Sequence, residues 1–255
     1  TKKTAALRAK KPAAIILLNA DMSRMAGNKA YFERPSLVLG EEKKDNTLTL
    51  NFSKQAIDKL MASSSKTTDD LVNQIKSSGK SASFSFNANL DVDLQNKLTQ
   101  LEAKNVLGFL EGSDAKLKKE ILVITAHYDH IGVGTDGDVF NGADDDGSGT
   151  VSVMQIAEAF AAAAKDGIKP RRSILFLNVT GEEKGLLGSE YYANNPIFPL
   201  ENTVNNINID MVGRIDYEYQ DAEDQDYVYV IGSEMLSSQL KVINEYNNIT
   251  YTGLK

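Results

Sequence analysis

The chain has 255 residues, 42% of them hydrophobic and 25% charged, with a net charge of −7. That is an ordinary globular composition, and its acidic balance disfavours a nucleic-acid partner, since phosphate backbones demand a basic surface. No apolar run approaches ~18 residues, so no membrane span is expected, and without cysteine any metal must be held by histidine and carboxylate.

In chain order, the apolar run Ala13–Leu18 predicts a buried strand, followed by a polar loop through Ser23 and Asn28. Leu37–Leu39 and Thr47–Phe52 read as further short strands, the second with Leu48, Leu50 and Phe52 on one face. Helices are predicted from Ser53 through Met61 and from Thr68 to about Ile75. Thr68 is the expected N-cap, with Asp69 and Asp70 suited to the positive end of the helix dipole. From Ser81 the sequence turns extended and alternating. A strand at Asn105–Leu110, the turn-rich "EGSDAKLKKE" and a strand at Ile121–Ala126 predict a hairpin.

A helix from Thr150 to about Lys165 follows, because Val153, Ile156, Ala157 and Phe160 fall on one face at helical spacing. Further strands are predicted at Ile174–Val179, Ile207–Asp210 and Tyr227–Ile231, and a helix from Ser233 to about Tyr246. The acidic "DYEYQDAEDQD" at 216–226 reads as a solvated loop. Strands alternating with helices argue for an α/β fold, a mixed and largely parallel sheet sandwiched by helices. The chain starts at Thr1 and stops soon after the last predicted helix, so a fragment or a processed chain is expected.

Both histidines and six aspartates fall in "HYDHIGVGTDGDVFNGADDDGSG", residues 127–149. In open α/β sheets ligands collect beyond the carboxyl ends of the strands. His127 ends "ILVITA", Glu182 and Glu183 follow "ILFLNVTG", and Asp210 follows "NINI". Asp144, Asp145 and Asp146 sit in a glycine-flanked loop before the Thr150 helix. Each alone has a plain explanation as a packed histidine, a helix cap or a solvated pair. Together they place four segments at one sheet edge, where converging carboxylates repel unless a cation neutralises them. One divalent ion or two would do so, and histidine with carboxylate suits zinc. Asp129 has the spacing to orient the His127 ring. Composition does not choose among Asp144, Asp145 and Asp146.

"TAHYDHIG", "NGADDDGSG", "TGEEKGLLGSEYY" and "NIDMVGR", in this order, resemble the M28 family of zinc aminopeptidases. The N-terminal part, with "KPAAIILLN" and the run through Phe52–Leu60, resembles a partial protease-associated domain. The resemblance implies a protease-associated-like α+β domain at 1–85 and a zinc peptidase domain at 86–255, with a zinc-exopeptidase-like fold. It assigns His127, Asp145 and Asp210 to one zinc, Asp145 and Glu183 to a second, Glu182 as general base and acid, and Asp129 as the carboxylate behind the ligands. The implied substrate is a peptide with a free N-terminus, and the implied location is periplasmic or secreted. The family's second zinc takes a final histidine far towards the C-terminus, and this chain has none after His130. His130 reads as a polar loop residue rather than a replacement, which leaves either a truncated C-terminal part, favoured by the abrupt end after the Ser233 helix, or a second site that is incomplete. A non-catalytic receptor-type relative and a carboxypeptidase or dipeptidase of the same family are the alternatives.

Overall fold

A computed structural model of the chain describes residues 2–19, 22, 36–40, 47–95, 97, 99–134, 136–223, 225–235 and 237–254. They divide into two compact units, Thr1–Gln100 and Leu101–Lys255.

The first unit holds helix α1 (Lys2–Arg8), strands β1 (Ala14–Leu18) and β2 (Leu48–Phe52), and helices α2 (Lys54–Leu60) and α3 (Thr68–Ser78). β1 and β2 pair in parallel, from Ala14 opposite Leu48 to Leu18 opposite Phe52. Ser53 caps α2, its hydroxyl accepting the Ala56 N–H at 3.2 Å. The α3 cap is Thr67, one residue before the expected Thr68. Thr67 and Asp70 form a reciprocal capping box, while the Thr68 N–H donates to Asp58 at 2.7 Å. The expected strand at Leu37–Leu39 does not form; these residues are exposed and pair with no strand among the described residues. The loop through Ser23 and Asn28 lies outside the described residues.

The second unit is built on a four-stranded sheet in the order β3–β7–β4–β8. β4 (Ile121–His127), β7 (Ser173–Val179) and β8 (Thr203–Asn208) are parallel, and β3 (Val106–Leu110) is an antiparallel edge. Between β4 and β7 lie the short pair β5 (Gly132–Val133) and β6 (Val139–Phe140), and helix α4 (Gly147–Lys165). Helix α5 (Leu187–Asn194) precedes β8, and α6 (Ser238–Asn247) follows it. The predicted hairpin of β3 with β4 is therefore replaced by β7 lying between them. The linking "EGSDAKLKKE" is stitched to the start of β7: the Ser173 hydroxyl accepts the Gly112 N–H at 3.0 Å and donates to the Lys118 carbonyl at 2.6 Å.

β4 and β7 are buried on both faces, which is why they read as unbroken apolar runs. Ile121, Val123, Leu175, Leu177 and Val179 pack on one face with Tyr192 of α5 and Phe198. Ile124, Ala126, Ile174 and Phe176 pack on the other with Val153, Ile156, Ala157 and Phe160 of α4. This strand alternation sandwiches the sheet and fixes the three parallel carboxyl ends at one edge.

Beyond β8 one predicted element does not form and another starts late. Residues 227–231 form no strand; Ile231 is 91% exposed, and Tyr227 instead stacks on Tyr219 at 4.6 Å between ring centroids. The last helix begins at Ser238 rather than Ser233, because a turn at Gly232–Met235 precedes it and Ser237 supplies the cap. β8 ends at Asn208, so Asp210 lies just beyond the strand.

Candidate metal centre

β4 delivers His127 to the carboxyl edge of the sheet, where its side chain is 3% exposed. Its Nδ1 lies 3.0 Å from the Asp129 backbone carbonyl and 3.7 Å from the Asp129 carboxylate. An Nδ1–H donated to that carbonyl selects the tautomer with a free Nε2 lone pair. Nε2 is buried and has no hydrogen-bond partner. Around it stand Asp145 Oδ1 at 3.2 Å, Asp210 Oδ1 at 3.8 Å and Glu182 Oε2 at 3.8 Å.

Donor atoms of His127, Asp145 and Asp210 all lie within 4.8 Å of one another, and so do those of His130, Asp145 and Glu183. Ligands at ~2.0–2.2 Å around a tetrahedral ion stand roughly 3.3–3.6 Å apart. The 3.2 and 3.8 Å separations at His127 Nε2 bracket that edge, so these residues fit a zinc-sized cation. Among the described residues, ion pairs to Asp145, Glu182, Glu183 and Asp210 come from the two histidines alone.

The electrostatics match a crowded anionic site. Burial pushes the Glu182 carboxyl above its ordinary value, with Glu183, Asp210 and Asp129 adding repulsion against the opposing pull of His127. Burial likewise raises Asp210, with His127 opposing and Asp145 and Asp144 repelling. For His127, burial pulls the imidazole down, but the Asp129 carbonyl and the charges of Asp146, Asp210 and Glu182 outweigh it, and the net shift is upward.

Asp129 acts on the backbone opposite. Its Oδ1 accepts the Glu182 N–H at 3.0 Å and its Oδ2 the Glu183 N–H at 3.3 Å. It thereby joins the end of β4 to the loop after β7. Asn105 holds the same loop from below, its side chain donating to the Gly188 carbonyl at 2.8 Å and accepting the Thr180 N–H at 3.2 Å. Asp144 Oδ1 accepts the Gly213 N–H at 2.8 Å. Asp136 and Asp138, the acidic residues of the glycine-rich connector, are exposed.

Asp146 is a residue to which sequence reasoning gave no role of its own beyond the cap reading of the whole "DDDGSG" run. It is 1% exposed, and burial raises its carboxyl above the ordinary value, against the N–H groups it accepts. Those N–H groups belong to His127 at 3.0 Å, Gly149 at 2.9 Å and Met211 at 3.3 Å. The cap part was visible in "DDDG" before a helix; the contacts to the ends of β4 and β8 were not.

The profile of peptidase family M28 matches residues 105–249, which run from β3 past α6. The chain belongs to peptidase family M28. Among curated relatives, a vacuolar membrane protease of Verticillium alfalfae is 40% identical over 86 residues, covering 34% of this chain and 8% of that protein. Aminopeptidase YwaD of Bacillus subtilis is 31% identical over 116 residues, covering 45% of this chain and 23% of that protein. The chain thus spans less than a quarter of either relative. The solved LapA aminopeptidase of Legionella pneumophila is 26% identical, covers 44% of this chain and 26% of that chain, and superposes at a TM-score of 0.34, a likeness too loose to add to the family match. The expected periplasmic or secreted location is overturned. Relatives from Verticillium alfalfae, Tuber melanosporum and Pyricularia oryzae are named for a vacuolar membrane, not for export. Among the described residues no helix is long and apolar enough to cross a membrane.

Proposed function

We propose that this chain carries the metal site of a zinc-dependent aminopeptidase that removes residues from the free N-terminus of peptides. The observation that carries this reading is the buried, unpartnered Nε2 of His127 facing Asp145 and Asp210 in a chain of the M28 family. His127, Asp145 and Asp210 would hold one zinc, and Asp145 with Glu183 would take part in holding a second.

Zinc bound there would polarise the scissile carbonyl and make the attacking water more acidic. Glu182, whose carboxyl is raised by burial, suits a proton carrier working nearer neutrality. In this reading Glu182 takes the proton of the attacking water and returns it to the departing amine. Asp129 fixes the Glu182 and Glu183 backbone through two N–H bonds, so one neighbour can grip metal while the other faces water. Residues 1–85 are read here as part of a protease-associated-like domain and 86–255 as peptidase. The parallel β1–β2 pair with α2 and α3 is compatible with the former.

The test is hydrolysis of leucine p-nitroanilide and of a peptide with a free or acetylated N-terminus, with zinc content measured on the same sample. Zinc-dependent cleavage restricted to the free N-terminus is expected. A zinc-loaded protein that cleaves only from the C-terminus, or cleaves nothing, would overturn the aminopeptidase reading.

A further inference from the structure

We propose that His130 supplies the nitrogen donor of the second cation position, so that two ions are held by side chains this chain already contains. The inference rests on the metallopeptidase reading above and goes beyond it at one residue, which the sequence pattern sets aside.

Three observations carry it. First, His130 Nδ1 lies 2.8 Å from Glu183 Oε1 and 3.9 Å from Asp145 Oδ2, separations that bracket the roughly 3.3–3.6 Å edge of a tetrahedral zinc site. Nδ1 and Oε1 are both buried, and neither has a hydrogen-bond partner. Although only 2.8 Å apart, they do not meet in hydrogen-bond geometry, which fits two donors turned to a shared third atom.

Second, the two oxygens of Asp145 divide between the two histidines: Oδ1 is 3.2 Å from His127 Nε2, and Oδ2 is the oxygen facing His130. Two donor sets thus share one carboxylate, the arrangement that bridges a pair of ions ~3.5–4 Å apart. Third, the place of the His130 ring is made by a glycine. Gly142 has φ +66°, and a Cβ there would lie 2.6 Å from His130 Cβ and 2.7 Å from its Cγ. The ring therefore rests against the same loop that carries Asp145, a loop pinned to the start of α4 by the Gly147 N–H donating to the Gly142 carbonyl at 2.9 Å.

A histidine that only orients Glu183 by a hydrogen bond would sit in a similar place, and metal counting separates the two roles. The full chain, stripped with a chelator, is titrated with Co²⁺ and with Zn²⁺, and bound metal is measured by mass spectrometry. Wild type is expected to take up two ions. His130→Ala and His130→Gln are expected to take up one, with its affinity and the far-ultraviolet circular dichroism unchanged. In proton NMR of the Co²⁺ protein, wild type should show two exchangeable, hyperfine-shifted imidazole N–H signals and His130→Gln one. Retention of two ions by both variants, or uptake of a single ion by wild type and variants alike, would overturn the role of His130 and leave the metallopeptidase reading standing. Failure of wild type to bind either metal would overturn both.

Discussion

The Asp146 carboxylate accepts the backbone N–H of His127 at 3.0 Å, and with its other oxygen it accepts the N–H groups of Gly149 and Met211. One buried group thus sets the register of three proposed ligands: His127 itself, Asp145 beside it in sequence, and Asp210, which precedes Met211. Asp146→Asn leaves every proposed ligand in place but turns an amide donor towards an N–H that had an acceptor. A buried donor left without a partner costs ~1–3 kcal/mol. Urea unfolding should show a loss of that size, and zinc affinity should fall about 10–100-fold, as when a group behind the ligands is removed. Unchanged stability and affinity would show that the register is set elsewhere.

Glu182→Gln separates metal holding from proton transfer. Glutamine keeps the N–H that Asp129 accepts at 3.0 Å and fills the same space, but it cannot take a proton. Zinc content should match wild type while kcat falls about 10²–10⁴-fold, the usual contribution of a positioned general base. A variant as active as wild type would remove Glu182 from that role.

Asp129→Asn probes the brace behind the two glutamates. The carboxylate offers one oxygen to each N–H, at 3.0 and 3.3 Å; an asparagine retains a single carbonyl oxygen. A loss of about 10–100-fold in kcat/KM or in affinity for the more weakly held metal is expected. Metal titration alongside initial rates shows which of the two carries the loss.

The metal-free protein should be most stable in mild acid rather than at neutrality. Asp146, Asp210 and Glu182 have folded values raised above 3.8, 3.8 and 4.5. The folded state therefore binds more of their protons, and the stability they contribute is lost as pH rises from those values through the raised ones. His127, raised above 6.5, acts in the same direction at higher pH. Below this range Asp58 and Asp114, each lowered from 3.8 to about 2, lose their contribution as pH falls. Thermal melts of chelator-treated protein across pH 3–8 check the shape, and added zinc should stabilise most at the neutral end.

The parts of the fold legible in sequence are those in which one period dominates. β4 and β7 are buried on both faces and read as apolar runs; α4 buries one face and shows helical spacing. Pairing was less legible, because adjacency in sequence favours a β3–β4 hairpin while the stitching of residues 112–118 to Ser173 brings β7 between them. The alternating Tyr227–Ile231 misled for a related reason: its tyrosines stack on one another rather than on a sheet. At the candidate metal centre, strand-end position singled out Glu182 and Asp210, which the structure gathers around His127 together with Asp145 of the loop before α4. It gave no means of telling Asp144, Asp145 and Asp146 apart, since those three differ only in which neighbours their oxygens meet.

Gly149 offers a test of how closely α4 must approach the segment bearing Asp210. A Cβ at this position would lie 2.2 Å from the Ile209 carbonyl oxygen and 2.3 Å from Asp146 Oδ1. In an exposed helix, glycine to alanine gains up to about 1 kcal/mol; here the sign should reverse. The first turn of α4 would have to withdraw from the end of β8, breaking the Asp146 bonds to Gly149 and Met211 together. Gly149→Ala is expected to destabilise the metal-free protein by about 1–3 kcal/mol, the usual cost of overpacking. Because Asp210 moves with that segment, zinc affinity should fall as well. Ser152→Ala, which removes only a hydroxyl bonded within the helix to the Ser148 carbonyl, should leave both quantities near wild type. Calorimetric melts and zinc titrations of the two variants side by side would show whether the close approach of helix and strand end sustains the site.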